Sequence, residues 1–156
     1  MNAAPPSHFP WPPAIALSAI ALGAGLDVLY PLPWIPRPVS DMLFAAGCIC
    51  IAATAALYFS AISAMRRAKT TILPTRASEH LVTGGAFGFT RNPIYLANVV
   101  LIFGLSLVTG NAWLLPLALF AGYATSKLAI AGEERHLEQR FGKRYRDYAK
   151  RVRRWL

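Results

Sequence analysis

The run Met42-Leu-Phe-Ala-Ala-Gly-Cys-Ile-Cys-Ile-Ala-Ala-Thr-Ala-Ala-Leu-Tyr-Phe-Ser-Ala-Ile-Ser-Ala-Met65 carries no charged side chain and lies between Asp41 and the pair Arg66-Arg67. At 1.5 Å per residue, a helix of that length reaches about 36 Å, more than the roughly 30 Å hydrocarbon layer of a bilayer. The spacing therefore predicts a membrane-spanning helix. Three further apolar runs surround it. Ala14 to Tyr30 holds only Asp27, Ile94 to Val108 holds no charge, and Ala112 to Ala131 holds only Lys127. The fourth run is long enough to cross, and the first is near the lower limit. The third is short and joins the fourth through Thr109-Gly110-Asn111, a tight-turn signal. The two read as a helical hairpin, whose shorter arm need not cross the whole layer.

The composition agrees. Of the 156 residues, 55% are apolar and only 15% are charged, against about a quarter charged in an ordinary soluble domain. Mean hydropathy is +0.40. A buried helix of a soluble protein would need a polar shell that this chain cannot supply. The length allows one domain, so 1–156 reads as a single all-α, polytopic membrane domain with about four transmembrane helices at 14–30, 42–65, 94–108 and 112–131. A second, doubly wound nucleotide-binding domain does not fit beside them. The first run lacks a positive n-region, follows Pro5, Pro6, Pro10, Pro12 and Pro13, and leads into a Pro-rich turn, so it reads as a retained helix and not a cleaved signal. Cys48 and Cys50 lie two apart, do not face each other on a helix, and read as reduced packing residues.

Charge sets the orientation. Residues 1–36 contain no Lys or Arg, while 132–156 contain nine. The connection after Met65 carries Arg66, Arg67, Lys69, Arg76 and Arg91; the turn at 109–111 carries none. By the positive-inside rule both basic segments, 66–93 and 132–156, face the cytoplasm. Trp11, Trp34 and Trp113 fall at predicted interfaces, as an aromatic belt would place them. The basic tail is accounted for by orientation and by anionic headgroups, so nucleic acid is not an expected partner; the bilayer is.

Two segments exceed what a bundle needs. The first ends in Gly84, Gly85 and Gly88 interleaved with Phe87 and Phe89, then Arg91-Asn92-Pro93. Glycine permits close backbone approach to a ligand, and aromatic faces attract cations. Asn92 is a suitable N-cap and Pro93 a suitable first helical residue. That helix start, with Arg91 beside it, suits an anion. The second segment begins with Glu133-Glu134, two of seven acids in the chain. Leu137, Phe141, Tyr145, Tyr148, Val152 and Trp155 follow at spacings of 4, 4, 3, 4 and 3. That is one stripe of an amphipathic tail helix with a break at Gly142. The short hairpin brings the fourth helix back beside the start of the third. Arg91-Asn92-Pro93 and Glu133-Glu134 are therefore expected to converge on one cleft, suited to a zwitterion bearing an extra positive charge.

At these residues Leu81-Val-Thr-Gly-Gly-Ala-Phe-Gly-Phe-Thr-Arg-Asn-Pro-Ile-Tyr95 resembles a motif of a membrane methyltransferase family. That family includes isoprenylcysteine carboxyl methyltransferases and phospholipid N-methyltransferases. Glu133-Glu134-Arg-His-Leu137-Glu-Gln-Arg-Phe141-Gly142-Lys-Arg-Tyr145-Arg-Asp-Tyr148 resembles the family's ending. The resemblance implies an S-adenosylmethionine site on the cytoplasmic side, built from 66–93 and 132–156. It implies cofactor contacts from Glu79, His80, Leu81, Val82, Phe87, Asn92, Pro93, Ile94, Tyr95 and Glu133. Arg91 and Glu134 are the expected catalytic residues, and no metal is expected.

Where the acceptor needs a base, Glu134 or His80 is placed to serve; His136 reads as a surface residue. Three positions depart from the prenylcysteine enzymes: Asn92 replaces His, Ala97 replaces a frequent Gly, and no arginine stands just before Glu133, where Ala129 sits near Lys127. They weaken the case for a prenylcysteine acceptor and leave a small or lipophilic acceptor reached from the membrane. The Asn-Pro form resembles bacterial members, which implies an inner-membrane location. The alternatives are an NADPH-dependent sterol or steroid reductase, and a small transporter. A transporter should hold ionisable groups at mid-membrane, and the runs here are clean at their centres.

Overall fold

The computed structural model describes residues 11–68 and 80–156. Described in chain order, the helices are α1 (Trp11–Leu29), α2 (Val39–Arg67), α3 (Pro93–Thr109), α4 (Leu114–Thr125), α5 (Ala131–Phe141) and α6 (Lys143–Arg151). A 3-10 turn, Gly85–Gly88, precedes α3, and a π-helical turn, Ser126–Ile130, joins α4 to α5. The protein is an all-α integral membrane protein. Among the described residues, three helices are long and apolar enough to cross a bilayer: Trp11–Leu29, Val39–Arg67 and the continuous Leu114–Phe141. The fourth, Pro93–Thr109, is shorter, as the brevity of its apolar run predicts. Lipid-facing positions carry large apolar side chains: Leu17, Met42, Ile49, Phe59, Leu119 and Phe120 are all exposed. Water would not tolerate so many, whereas hydrocarbon favours them.

The bundle alternates direction. The Tyr58 hydroxyl of α2 donates to Asn98 Oδ1 of α3, and the Thr54 hydroxyl reaches the Ala97 carbonyl at 3.4 Å. Toward the other end, Gly47 meets Gly104 so closely that a Cβ on Gly47 would lie 2.9 Å from the Gly104 carbonyl oxygen. Small residues that let backbones touch are the usual means of packing helices in lipid. Cys50 lies in this seam, where its Cβ is 3.0 Å from a Cβ built on Gly104. Cys48 is exposed on the lipid side, so only one of the two cysteines packs; both are unbridged.

At the Trp34 end, Gly110 closes α3 with φ +72, and the Asn111 amide donates 2.9 Å to the Gly23 carbonyl of α1. The Trp113 indole donates to the Tyr30 carbonyl at 2.8 Å. The turn of the short hairpin is thus tied to α1 and to Tyr30, the residue that follows that helix.

One boundary differs from the sequence expectation. The helix does not stop at Ala131 but runs through the π turn to Phe141. Polarity changes where lipid ends, and backbone hydrogen bonding has no reason to stop there. The tail breaks at Gly142, where the expected interruption falls, and forms two helices, the chain turning there with φ +52. The apolar stripe survives the break, because Tyr145, Tyr148 and Val152 form one buried cluster with Leu81, Leu137 and Phe141.

Candidate functional site

The segment leading into α3 is fixed from two sides. Gly85 has φ +60 and lies against α2, where the Ala86 N–H donates 3.0 Å to Ser60 Oγ. From the tail, the Tyr148 hydroxyl donates 2.7 Å to the Phe87 carbonyl. The C-terminal residues then run alongside 90–92. The Arg91 N–H donates 2.9 Å to the Arg153 carbonyl. The Arg154 carbonyl accepts from the Thr90 hydroxyl at 3.3 Å and from the Asn92 amide at 2.8 Å. Trp155 finishes the strap, its indole donating 3.1 Å to Ser126 Oγ on the π turn.

Asn92 occupies the N-cap position, but no side chain caps α3. Its amide is committed to the tail, and its own N–H goes to Thr90 Oγ at 3.2 Å. The first turn of α3 therefore presents backbone N–H groups that no side chain covers, which is the arrangement that favours an anion.

The two segments converge, as the hairpin predicts. Tyr95 donates from its hydroxyl to Glu133 Oε2 at 2.8 Å. Arg91 Nη2 lies 3.2 Å from Glu134 Oε1, both side chains being 16% exposed. Successive helical residues point about 100° apart, and here that separation divides two adjacent carboxylates between different partners. Glu133 turns toward α3, while Glu134 turns toward the tail. Arg154 holds Glu134 through Nε at 3.1 Å and through Nη2. Arg91 Nη1 also donates 3.3 Å to the Tyr145 hydroxyl. Glu134 is thus engaged by two guanidinium groups. Among the described residues, Glu133 has Oε1 unclaimed by protein.

The electrostatics of the tail follow from this packing. Burial, reinforced by the nearby Glu134 carboxylate, pushes the Tyr145 phenol up to about 12. Burial also raises Tyr148. The hydrogen bond to Glu134 holds the Arg154 guanidinium more firmly protonated. Charge-assisted bonds of this kind are stronger than neutral ones.

The remaining expected residues are distributed as follows. Pro93 is buried at the helix start, and Ile94 follows it half-buried. Leu81 packs on the tail cluster. Leu81 and Val82 also line a cleft of about 450 Å³ with Phe59, Ser60, Ser63 and Arg67 of α2. Phe87 is held by its carbonyl, as above. His80 is exposed, at the start of the described segment. Glu79 lies outside the described residues.

His136 corrects the sequence reading: it is buried, not on the surface, and its Nε2 finds no partner among the described residues. It stands three residues after Glu133 and so shares its face, whereas the reading from polarity alone places it outward.

Three contributors were not anticipated: Arg154 on Glu134, Thr90 at the strap, and the π turn carrying Ser126. Arg154 is one of nine basic residues in the tail, and nothing local distinguishes it. The π turn has no clear sequence mark, although such turns recur near functional sites.

The phospholipid methyltransferase family model matches residues 42–144, most of the chain, including the start of α3 and the Glu133-Glu134 pair but not Tyr145, Tyr148 or the C-terminal strap. No curated protein and no solved structure matches the chain.

Proposed function

The chain belongs to the phospholipid methyltransferase family and is a membrane methyltransferase; from that premise we propose that it uses S-adenosylmethionine to methylate a small or lipophilic acceptor that enters from the bilayer. The single observation that carries this reading is the convergence of the uncapped start of α3 with Glu133, joined through the Tyr95 hydroxyl. An uncapped helix start suits a carboxylate, and a carboxylate with one oxygen unclaimed suits an ammonium. Those are the two charges of an amino-acid moiety, and the donor set therefore fits this cofactor.

Backbone N–H groups at Ile94 and Tyr95 would hold the carboxylate, and Glu133 Oε1 the ammonium. Phe87, which precedes this start, and the Tyr95 ring on its first turn offer aromatic faces, and such faces attract a sulfonium. When bound, the cofactor supplies an electrophilic methyl group. The protein's own work is orientation and exclusion of water. Glu134 enters this reading as the counterion that fixes Arg91 beside the helix start. With both oxygens engaged by guanidinium groups, it is poorly placed to accept a proton. An acceptor already ionised, such as a carboxylate or thiolate, needs no base. An amine would have to arrive unprotonated or use another group, with His80 the remaining candidate.

We place the site on the cytoplasmic face of a bacterial inner membrane. The basic segments 66–93 and 132–156 support that side. The whole chain 1–156 is read as one domain, because the tail helices pack on the segment that opens α3. The test is calorimetry on the detergent-solubilised protein with S-adenosylmethionine, S-adenosylhomocysteine and, as control, NADPH. Binding of the first two without NADPH is expected. Tight NADPH binding with no response to either sulfur compound would overturn the proposal.

A further inference from the structure

A second cleft, of about 580 Å³, lies along α5 and α6; it borders the candidate site through Arg91 and Glu134, but its lining includes neither Tyr95 nor Glu133. Its floor is Ala131, Tyr145 and Ala149. Its walls carry five cationic side chains, those of Arg91, Arg135, Arg146, Lys150 and Arg154, against the carboxylates of Glu134 and Glu138. The internal pairing is incomplete. Arg91 and Arg154 share Glu134, and Arg146 lies 3.7 Å from Glu138. Arg135 spends only its Nε, on the Ala131 carbonyl of its own helix. Lys150 stands exposed at the rim. A surplus of three positive charges therefore lines one concave surface.

The height of this cleft identifies its occupant. The apolar run from Ala112 to Ala131 has about the 30 Å reach of the hydrocarbon layer. Ala131 is the first cleft residue, and Glu134, Arg135 and Glu138 follow on the same continuous helix. Glu134 and Arg135 stand about 4 to 6 Å beyond the hydrocarbon edge, within the roughly 5–8 Å headgroup layer of one leaflet, and Glu138 lies just outside it. We propose that this cleft binds the phosphodiester headgroup of an anionic phospholipid of the surrounding leaflet, as a site separate from the methyl-acceptor position. Basic pockets at this depth are suited to such headgroups, and planar guanidinium groups match phosphate oxygens. The inference does not depend on the methyl-transfer reading.

The experiment compares wild type with the double variant Arg135→Gln/Lys150→Gln, neither residue belonging to the Glu134 network. Each protein is placed in nanodiscs of phosphatidylcholine containing a minor fraction of phosphatidylglycerol or cardiolipin. Lipids retained after transfer to detergent are counted by native mass spectrometry. Wild type should retain the anionic lipid selectively, and the double variant should lose that selectivity by about tenfold or more, at roughly 1 kcal/mol per cation near a headgroup surface. Millimolar inorganic phosphate should not displace the lipid. Equal retention of phosphatidylcholine by wild type, or undiminished selectivity in the double variant, would overturn the proposal. Displacement by inorganic phosphate would reassign the cleft to a soluble anion and overturn it equally. S-adenosylmethionine binding is measured in parallel. Its persistence in the variant shows an intact fold, and its absence in both proteins sinks the functional reading alone.

Discussion

Glu133 and Glu134 are adjacent in sequence, and the geometry predicts that exchanging each for its neutral isostere will have opposite consequences. In Glu133→Gln the side-chain carbonyl still accepts the Tyr95 hydroxyl, which now lies at 2.8 Å from Oε2. Stability should therefore change by less than about 1 kcal/mol, the net worth of one ordinary hydrogen bond. What is lost is the negative charge offered to a ligand ammonium. Hydrogen bonds to charged groups are worth about 1.5–3 kcal/mol, so S-adenosylmethionine affinity should fall at least about tenfold.

In Glu134→Gln two guanidinium groups lose their shared counterion. Removing one partner of a buried pair costs about 3–5 kcal/mol. Arg91 is in that situation, with its side chain 16% exposed, but Arg154 is 44% exposed and regains water. A discounted cost of about 2–3 kcal/mol follows. For a chain of this size that lowers the unfolding midpoint by about 4–12 °C. The assays are thermal unfolding in one detergent and calorimetric titration with S-adenosylmethionine, run on both variants. If Glu134→Gln lost ligand affinity at unchanged stability while Glu133→Gln did the reverse, the division of roles argued here would be wrong.

Other expectations concern packing and the tail. Gly47→Leu should destabilise the α2–α3 seam by about 1–3 kcal/mol or more, because its Cβ would meet the Gly104 carbonyl oxygen at 2.9 Å and Val108 at 2.8 Å. Gly25→Leu, where nothing lies within 4 Å, should leave the same thermal midpoint unchanged; equal losses in both would show that the seam is not the cause. Tyr145 and Tyr148 both have folded-state values above the ordinary 10.0 of a free phenol, Tyr145 at about 12. The folded state therefore keeps protons that the unfolded chain releases. Their contribution to stability is complete below pH 10 and fades as pH rises through the folded values. Denaturation midpoints measured from pH 9 to 12 should fall, and Tyr145→Phe should flatten the slope; an unchanged slope would contradict the burial of that phenol.

The fold was legible because lipid imposes a single requirement on a long segment. Every residue from Met42 to Met65 repeats the same information, so the helix survives any local ambiguity. The convergence of Arg91-Asn92-Pro93 with Glu133-Glu134 was legible for a related reason: Gly110, with its left-handed φ, leaves the hairpin one way to return. The partners of those residues were less accessible. Asn92 in sequence is a helix cap, yet in the structure its amide goes to the Arg154 carbonyl. The local preference of a residue is outweighed when a backbone acceptor from 62 positions away is brought alongside. His136 was misplaced because polarity predicts exposure only where a helix has a free face, and Glu133 already directs that face inward.

The C-terminal strap ties these observations together. Residues 153–154 lie beyond the family match, which ends at 144, yet they contact Thr90, Arg91, Asn92 and Glu134. The family match therefore covers the helix start, both carboxylates and the Tyr95–Glu133 and Arg91–Glu134 contacts, but not this strap. Backbone carbonyls of Arg153 and Arg154 fix the start of α3, while the Arg154 side chain fixes the start of α5. This short segment thus adds a further tie between the two regions, beside the direct Tyr95–Glu133 and Arg91–Glu134 contacts. Under the proposed reading the spacing between the uncapped turn and Glu133 would have to match the separation of an amino acid's two charges, and the strap would help to hold it without contributing a group to the site.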